Sequence, residues 1–114
     1  MTRSLRIVCI ALAALLFTEV VTRADEPANE VSLTIENNRF YPEEIKVKAG
    51  TPFVLIITNT DQSAEEFESL ELRIEKIIPA GKTLRLRMPA LKPGTYRVFG
   101  DFHEKTAKGR IVAE

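Results

Sequence analysis

Beyond residue 30 the chain alternates apolar and polar positions over most of its length, the period of strands with one buried face. "VSLTIE" sets Val31, Leu33 and Ile35 against Ser32, Thr34 and Glu36, and "IKVKAG" (45–50) repeats the pattern after the turn residues of "ENNRFYPEE". Gly50 and Pro52 mark a tight turn into "FVLIITN" (53–59), whose continuous apolar run predicts a strand buried on both faces. Leu70, Leu72 and Ile74 alternate with Glu71, Arg73 and Glu75 as a further strand, and "PAG" (79–81) turns the chain. "TLRLRM" (83–88), "TYRVF" (95–99, introduced by "KPG") and "GRIVAE" (109–114) complete the series. About seven short strands separated by Pro and Gly turns, with no convincing helix and no internal repeat, predict an all-β sandwich of two sheets. Phe67 has odd parity while Leu70, Leu72 and Ile74 are even, so a β-bulge near Ser69 is expected. Alternate residues of a strand point the same way, so Glu66 and Glu68 share the face opposite Phe67.

The start of the chain reads differently. Arg3 and Arg6 precede the apolar run "IVCIALAALLF", and "TRA" stands before Asp25, the arrangement of a cleavable export signal over residues 1–24. The run is shorter than the roughly 20 apolar residues of a membrane-spanning helix, so no span is expected after cleavage. Residues 25–114 then form a single small domain with one core. That domain keeps 13 basic and 15 acidic side chains, a net charge of −2, because Arg3, Arg6, Arg23 and Glu19 lie in the signal. Lys and Arg are interleaved with Glu throughout, which argues against nucleic acid as a partner. Cys9, the only cysteine, also lies in the signal, so the domain offers neither a disulfide nor a thiolate ligand.

"FYPEEIKVKAGTPFVLIITNTD", "IIPAGKTLRLRMPALKPGTY" and "FGDFHEKTAKGRIVAE" together resemble the cupredoxins over nearly the whole domain. The resemblance implies a Greek-key β-sandwich whose metal lies between the loop after "ITN" and the loop before the last strand. A blue copper site uses two His, one Cys and a weak axial Met. Here Glu65 or Glu66 stands near the expected first His, Gly100 and Asp101 stand where the Cys should follow "YRVF", His103 fits the second His, and no Met follows before Gly109. No blue type 1 copper centre is therefore expected. "SAEEFES", "IIPAG", "LKPGTY" and "KGRIV" resemble more specifically the periplasmic domains of bacterial iron-uptake systems of the EfeO type and their free-standing counterparts. That resemblance implies a soluble periplasmic protein binding copper or iron beside a membrane iron permease and a periplasmic iron-binding protein. It also implies an acidic ligand matching Glu66 and cysteines matching roughly Phe40 and Asp101, both absent here.

The candidate ligands are accordingly Glu66, Asp101 and His103, with Glu68 and Glu104 as supplements. Glu65, Glu66, Glu68, Glu71 and Glu75 outnumber Arg73 and Lys76 nearby, and a bound cation would relieve their repulsion. One imidazole with several carboxylates is a hard ligand set that suits Fe(II), Fe(III), Mn(II) or Cu(II) and disfavours Cu(I). Paired carboxylates also serve glycoside hydrolysis, but no aromatic-lined cleft is evident in so small a domain. No catalytic residue is assigned, since ferroxidase turnover needs an electron acceptor that the sequence does not show. The competing reading is a metal-free interaction module that keeps the sandwich and has lost the copper ligands. Phe40, Tyr41, Tyr96, Phe99 and Phe102 read as packing residues, and an exposed Phe102 would instead mark a docking patch.

Overall fold

The computed structural model describes residues 29–114 and the isolated positions 14 and 16, so the export signal expected over 1–24 falls outside the described residues apart from those two positions. Nine strands and one 3₁₀ turn follow in order: β1 (Glu30–Glu36), β2 (Arg39–Tyr41), β3 (Glu44–Val47), β4 (Phe53–Asn59), β5 (Glu65–Ser69), β6 (Ile74–Ile78), β7 (Thr83–Met88), β8 (Gly94–Gly100), η1 (Asp101–His103) and β9 (Lys108–Ala113). They form two sheets, β2-β1-β4-β7 and β3-β9-β8-β5-β6. The β1–β4 and β3–β9 pairs are parallel and the others antiparallel. The all-β sandwich is thus the observed architecture.

Alternation builds the core. Leu33 and Ile35 from β1, Leu55 and Ile57 from β4, Phe67 from β5 and Ile111 from β9 are essentially inaccessible. Phe40 of β2 meets Phe67 of β5 with ring centroids 5.7 Å apart, so one aromatic contact ties the two sheets together. The β1–β2 hairpin turns through Asn37 and Asn38, both at positive φ (50° and 56°), a conformation Asn tolerates well. Asp61 accepts hydrogen bonds from both of their amides at 2.8 and 2.9 Å, which fixes the loop after β4 against this turn.

Three local expectations need correction. In β4 only Phe53, Leu55, Ile57 and Asn59 are buried, while Val54, Ile56 and Thr58 on the other face are half-buried, shielded by the flanking strands β1 and β7 rather than by a second layer. The alternation of Leu70, Leu72 and Ile74 is not a strand. Leu70–Arg73 form the turn joining β5 to β6, with Leu70 73% exposed, Arg73 at φ 55° and the Leu72 amide donating to Ser69 Oγ at 3.3 Å. This turn, not a bulge at Ser69, accounts for the change of parity after Phe67. The strands number nine rather than about seven because "RFY" pairs with β1 and β6 lies beyond the turn.

Phe40→Ala should therefore lower stability by about 3–5 kcal/mol, through lost burial and the cavity left between the sheets. Tyr41→Ser, at a side chain that is half exposed, should stay within about 0.5 kcal/mol. Urea unfolding midpoints of the two variants check the contrast.

Candidate metal centre

The site is assembled from the end of β4 onward. Asn59 is fully buried; its Nδ2 donates to the carbonyls of Ser63 (2.9 Å) and Ile78 (3.0 Å), and its Oδ1 accepts from the Asp61 amide (3.0 Å). A buried amide satisfied three ways leaves the loop one conformation, which carries the chain from one sheet to the other and starts β5 beside the end of β6. In β5 the odd positions Glu65, Phe67 and Ser69 turn inward, all at 1% exposure or less. An inward carboxylate must find donors. Glu65 Oε1 accepts from the amides of Glu66 and Phe102, both at 3.0 Å, and Oε2 lies 2.5 Å from His103 Nδ1. A carboxylate offers only acceptors, so with Glu65 in that form Nδ1–H of His103 is the donor. The imidazole is then held in the tautomer that leaves Nε2 without a proton when the ring is neutral.

The loop that presents these donors is closed on itself. The carbonyl of His103 accepts from the amides of Thr106 (3.1 Å) and Ala107 (2.9 Å), and Gly100 N–H donates to the Ala107 carbonyl at 2.8 Å. Gly100 faces Glu65 so closely that a Cβ there would stand 2.5 Å from Glu65 Cδ and 2.7 Å from Ala107 Cβ.

The even positions of β5 point the other way. Glu66, Glu68 and Asp101 each present a carboxylate oxygen, and these oxygens lie within 4.8 Å of one another. Glu66 is nine-tenths buried, Glu68 is half-buried and Asp101 is exposed. Glu75, the cross-strand partner of Glu68, adds a fourth acid on this face. The Glu66 carboxyl is pushed up to about 7, first because it shares a hydrogen bond with Glu75, then by burial and by the negative charges of Glu75, Asp101 and Glu68. Glu68 is also raised, by burial first and then by Asp101, Glu75 and Glu104.

Of the residues singled out from sequence, Glu66, Glu68 and Asp101 come together. His103 is directed instead to Glu65, and neither it nor Glu104 joins the carboxylate group. Sequence reasoning missed the inward role of Glu65, although its parity matches that of Phe67. It also missed the need for Gly100, whose signal was only a glycine at the strand end where a larger residue was expected.

A copper–thiolate centre does not fit these residues. Among residues 29–114 there is no cysteine, the single imidazole commits Nδ1 to Glu65, and the space a side chain at Gly100 would need is filled by Glu65 and Ala107. The carboxylate group is chemically matched to a hard or borderline cation with oxygen ligands.

The chain matches the family model of the cupredoxin-like domain over residues 7–113. It is 36% identical over 110 residues to an uncharacterized protein of Rickettsia prowazekii (strain Madrid E), covering 93% of this chain and 88% of that protein. Similar solved structures include the metal binding domain of the Cu(I) exporting P-type ATPase CopA of Streptococcus pneumoniae D39 with Cu(I), at a TM-score of 0.66 and 17% identity over 75% of this chain and 84% of that one. Auracyanin A, a "blue" copper protein from the green thermophilic photosynthetic bacterium Chloroflexus aurantiacus, has a TM-score of 0.64 and 12% identity, covering 75% and 98%. At such identities the structural likeness establishes the fold alone.

The crowded carboxylates make a pH prediction. A raised carboxyl binds more protons in the folded than in the unfolded chain between its ordinary value of 4.5 and about 7. Stability should therefore fall as pH rises through that window. The melting temperature should drop from pH 5 to pH 7.5, and Glu66→Gln should flatten the profile and melt higher at pH 7.5; calorimetry across pH checks both. Gly100→Ala should be strongly destabilising in the same assay, because the new Cβ would stand 2.5 Å from Glu65 Cδ and 2.7 Å from Ala107 Cβ, both in buried residues.

Proposed function

The chain belongs to the cupredoxin-like domain family, and on that premise we propose that it is an exported metal-binding protein which takes a copper or iron ion on carboxylates instead of on a thiolate. Glu66, Glu68 and Asp101 supply the ligand oxygens, and Glu75 shares their charge. The observation that carries this reading is a nine-tenths buried carboxylate, Glu66, whose hydrogen-bonding neighbour is another acid and which keeps its proton to about 7. A cation replaces that proton and relieves the repulsion. His103, clamped by Glu65, acts in this reading as the strut that holds Asp101 at the cluster.

The iron-uptake role follows from the resemblance to the EfeO-type domains. The protein would work in the periplasm after removal of residues 1–24 and pass its ion to a membrane iron permease, with a periplasmic iron-binding protein as the other partner. Oxygen ligands favour Fe(III) over Fe(II) and disfavour Cu(I), so delivery or redox assistance is the role assigned and no catalytic turnover is. The second reading, a metal-free interaction module, is favoured by a different observation: the space at Gly100 is closed by Glu65, and the only histidine is consumed in holding the loop.

An electron paramagnetic resonance titration with Cu(II) separates the two readings. The metal reading predicts stoichiometric binding with oxygen-donor parameters and no nitrogen coupling, lost in Glu66→Gln and Glu68→Gln. Weak binding that is identical in wild type and in both variants would leave the metal-free module. Nitrogen coupling that vanishes in His103→Ala would instead make His103 a ligand through Nε2.

A further inference from the structure

Within residues 29–114 the large exposed apolar side chains are Tyr41, Leu70, Ile77 and Phe102, and three of the four border the carboxylate face. Ile77, 59% exposed, is the cross-strand partner of Glu66. Phe102, 48% exposed, follows Asp101, and its backbone N–H donates a hydrogen bond to Glu65 Oε1. Leu70 projects from the β5–β6 turn into a cavity of about 430 Å³ over β8 and β9, lined also by Glu71, Arg97, Phe99, Glu104 and Lys108. This cavity adjoins the acids, because Phe99 in its lining is the cross-strand partner of Glu68. A half-open hollow of that size has room for a large apolar side chain together with its flanking backbone. The face therefore combines a negative centre, exposed apolar residues around it and one pocket.

The geometry points to this face as the docking surface for a protein that presents basic side chains around one large apolar anchor, with the anchor seated over Phe99 and the basic groups on Glu66, Glu68 and Glu75. Charge decides the occupant. The basic residues of this chain on the same side are Arg97 and Arg110, already paired with Glu71 and Glu44, and Lys108 beside Phe99, so a second copy brings little charge to match the acids, whereas a partner's lysine or arginine neutralises them. β6 is the outermost strand of its sheet, but Lys76 stands at its centre, a charge that discourages strand addition, so the contact is made through side chains. The docking stands on the surface alone. Its consequence, that a partner's basic groups and a cation compete for the same oxygens so that docking expels the ion, rests on the metal reading above.

The test uses the purified protein at low salt and two blocked tripeptides, trilysine and lysine-phenylalanine-lysine, followed by ¹⁵N NMR. The expected result is tighter binding of the phenylalanine peptide by about tenfold, the worth of one buried aromatic anchor, with shifts at Phe99, Glu68 and Ile77. Leu70→Ser, at an exposed position that lines the cavity, should erase most of that advantage and leave Mn(II) affinity unchanged. Equal affinity for the two peptides, shifts elsewhere on the molecule, or a dimer formed through this face would overturn the proposal. Peptide binding without any Mn(II) or Cu(II) binding would support the docking surface and sink the metal reading, and metal binding without peptide binding would do the reverse. Release of bound Mn(II) by the phenylalanine peptide would establish the competition.

Discussion

One buried carboxylate organises the functional end of this sandwich. Glu65 points into the protein at 1% exposure and is satisfied by two amides and the imidazole of His103. Every one of those donors except the neighbouring amide comes from η1, 37 or 38 residues further along the chain. A buried acid without donors is costly, so the contact works in both directions: the loop satisfies Glu65, and Glu65 holds the loop against β5. Gly100 permits the approach because it has no side chain to collide with the carboxyl. In a blue copper protein the metal joins two loops at such an end; here an acid–imidazole pair makes the join.

The outward carboxylates depend on that join. Glu66 and Glu68 are fixed by the pleat of β5, but Asp101 reaches them only because Gly100 pairs with Phe67 and η1 is anchored immediately afterwards. The same strand thus carries an acid held by donors on its inner face and a group of mutually repelling acids on its outer face. Unfavourable charge crowding of this kind is characteristic of binding sites, because the stability it removes from the free protein is returned when a counter-charge arrives. A metal ion and a partner's lysine are two forms of that counter-charge, and the exposed apolar residues around the face give the second form something further to hold.

Much of the sandwich is legible in the sequence because period-2 alternation is a direct imprint of a half-buried strand. β1, β7, β8 and β9 stand where that period places them. The reading failed where the same pattern arises without a strand. Leu70, Leu72 and Ile74 alternate, yet the Ser69 hydroxyl and the positive φ of Arg73 close a turn there. It also overestimated the burial of β4, since an apolar run does not reveal whether a second layer covers its outer face. For the site, parity sufficed to put Glu66 and Glu68 on one face. Parity could equally have sent Glu65 inward with Phe67, but no local pattern says that its partner is His103. That information resides in the register of β5 against β8, which only the folded chain displays.

Glu65, buried and accepting, holds His103 through Nδ1. The ¹⁵N spectrum of the His103 ring tests this most directly, since it reports which nitrogen carries the proton. Nδ1 should keep its proton in the neutral ring, and Glu65→Ala should release the ring to a mixture of tautomers. A neutral wild-type ring protonated at Nε2 would contradict it, and with it the strut on which the placement of Asp101 depends.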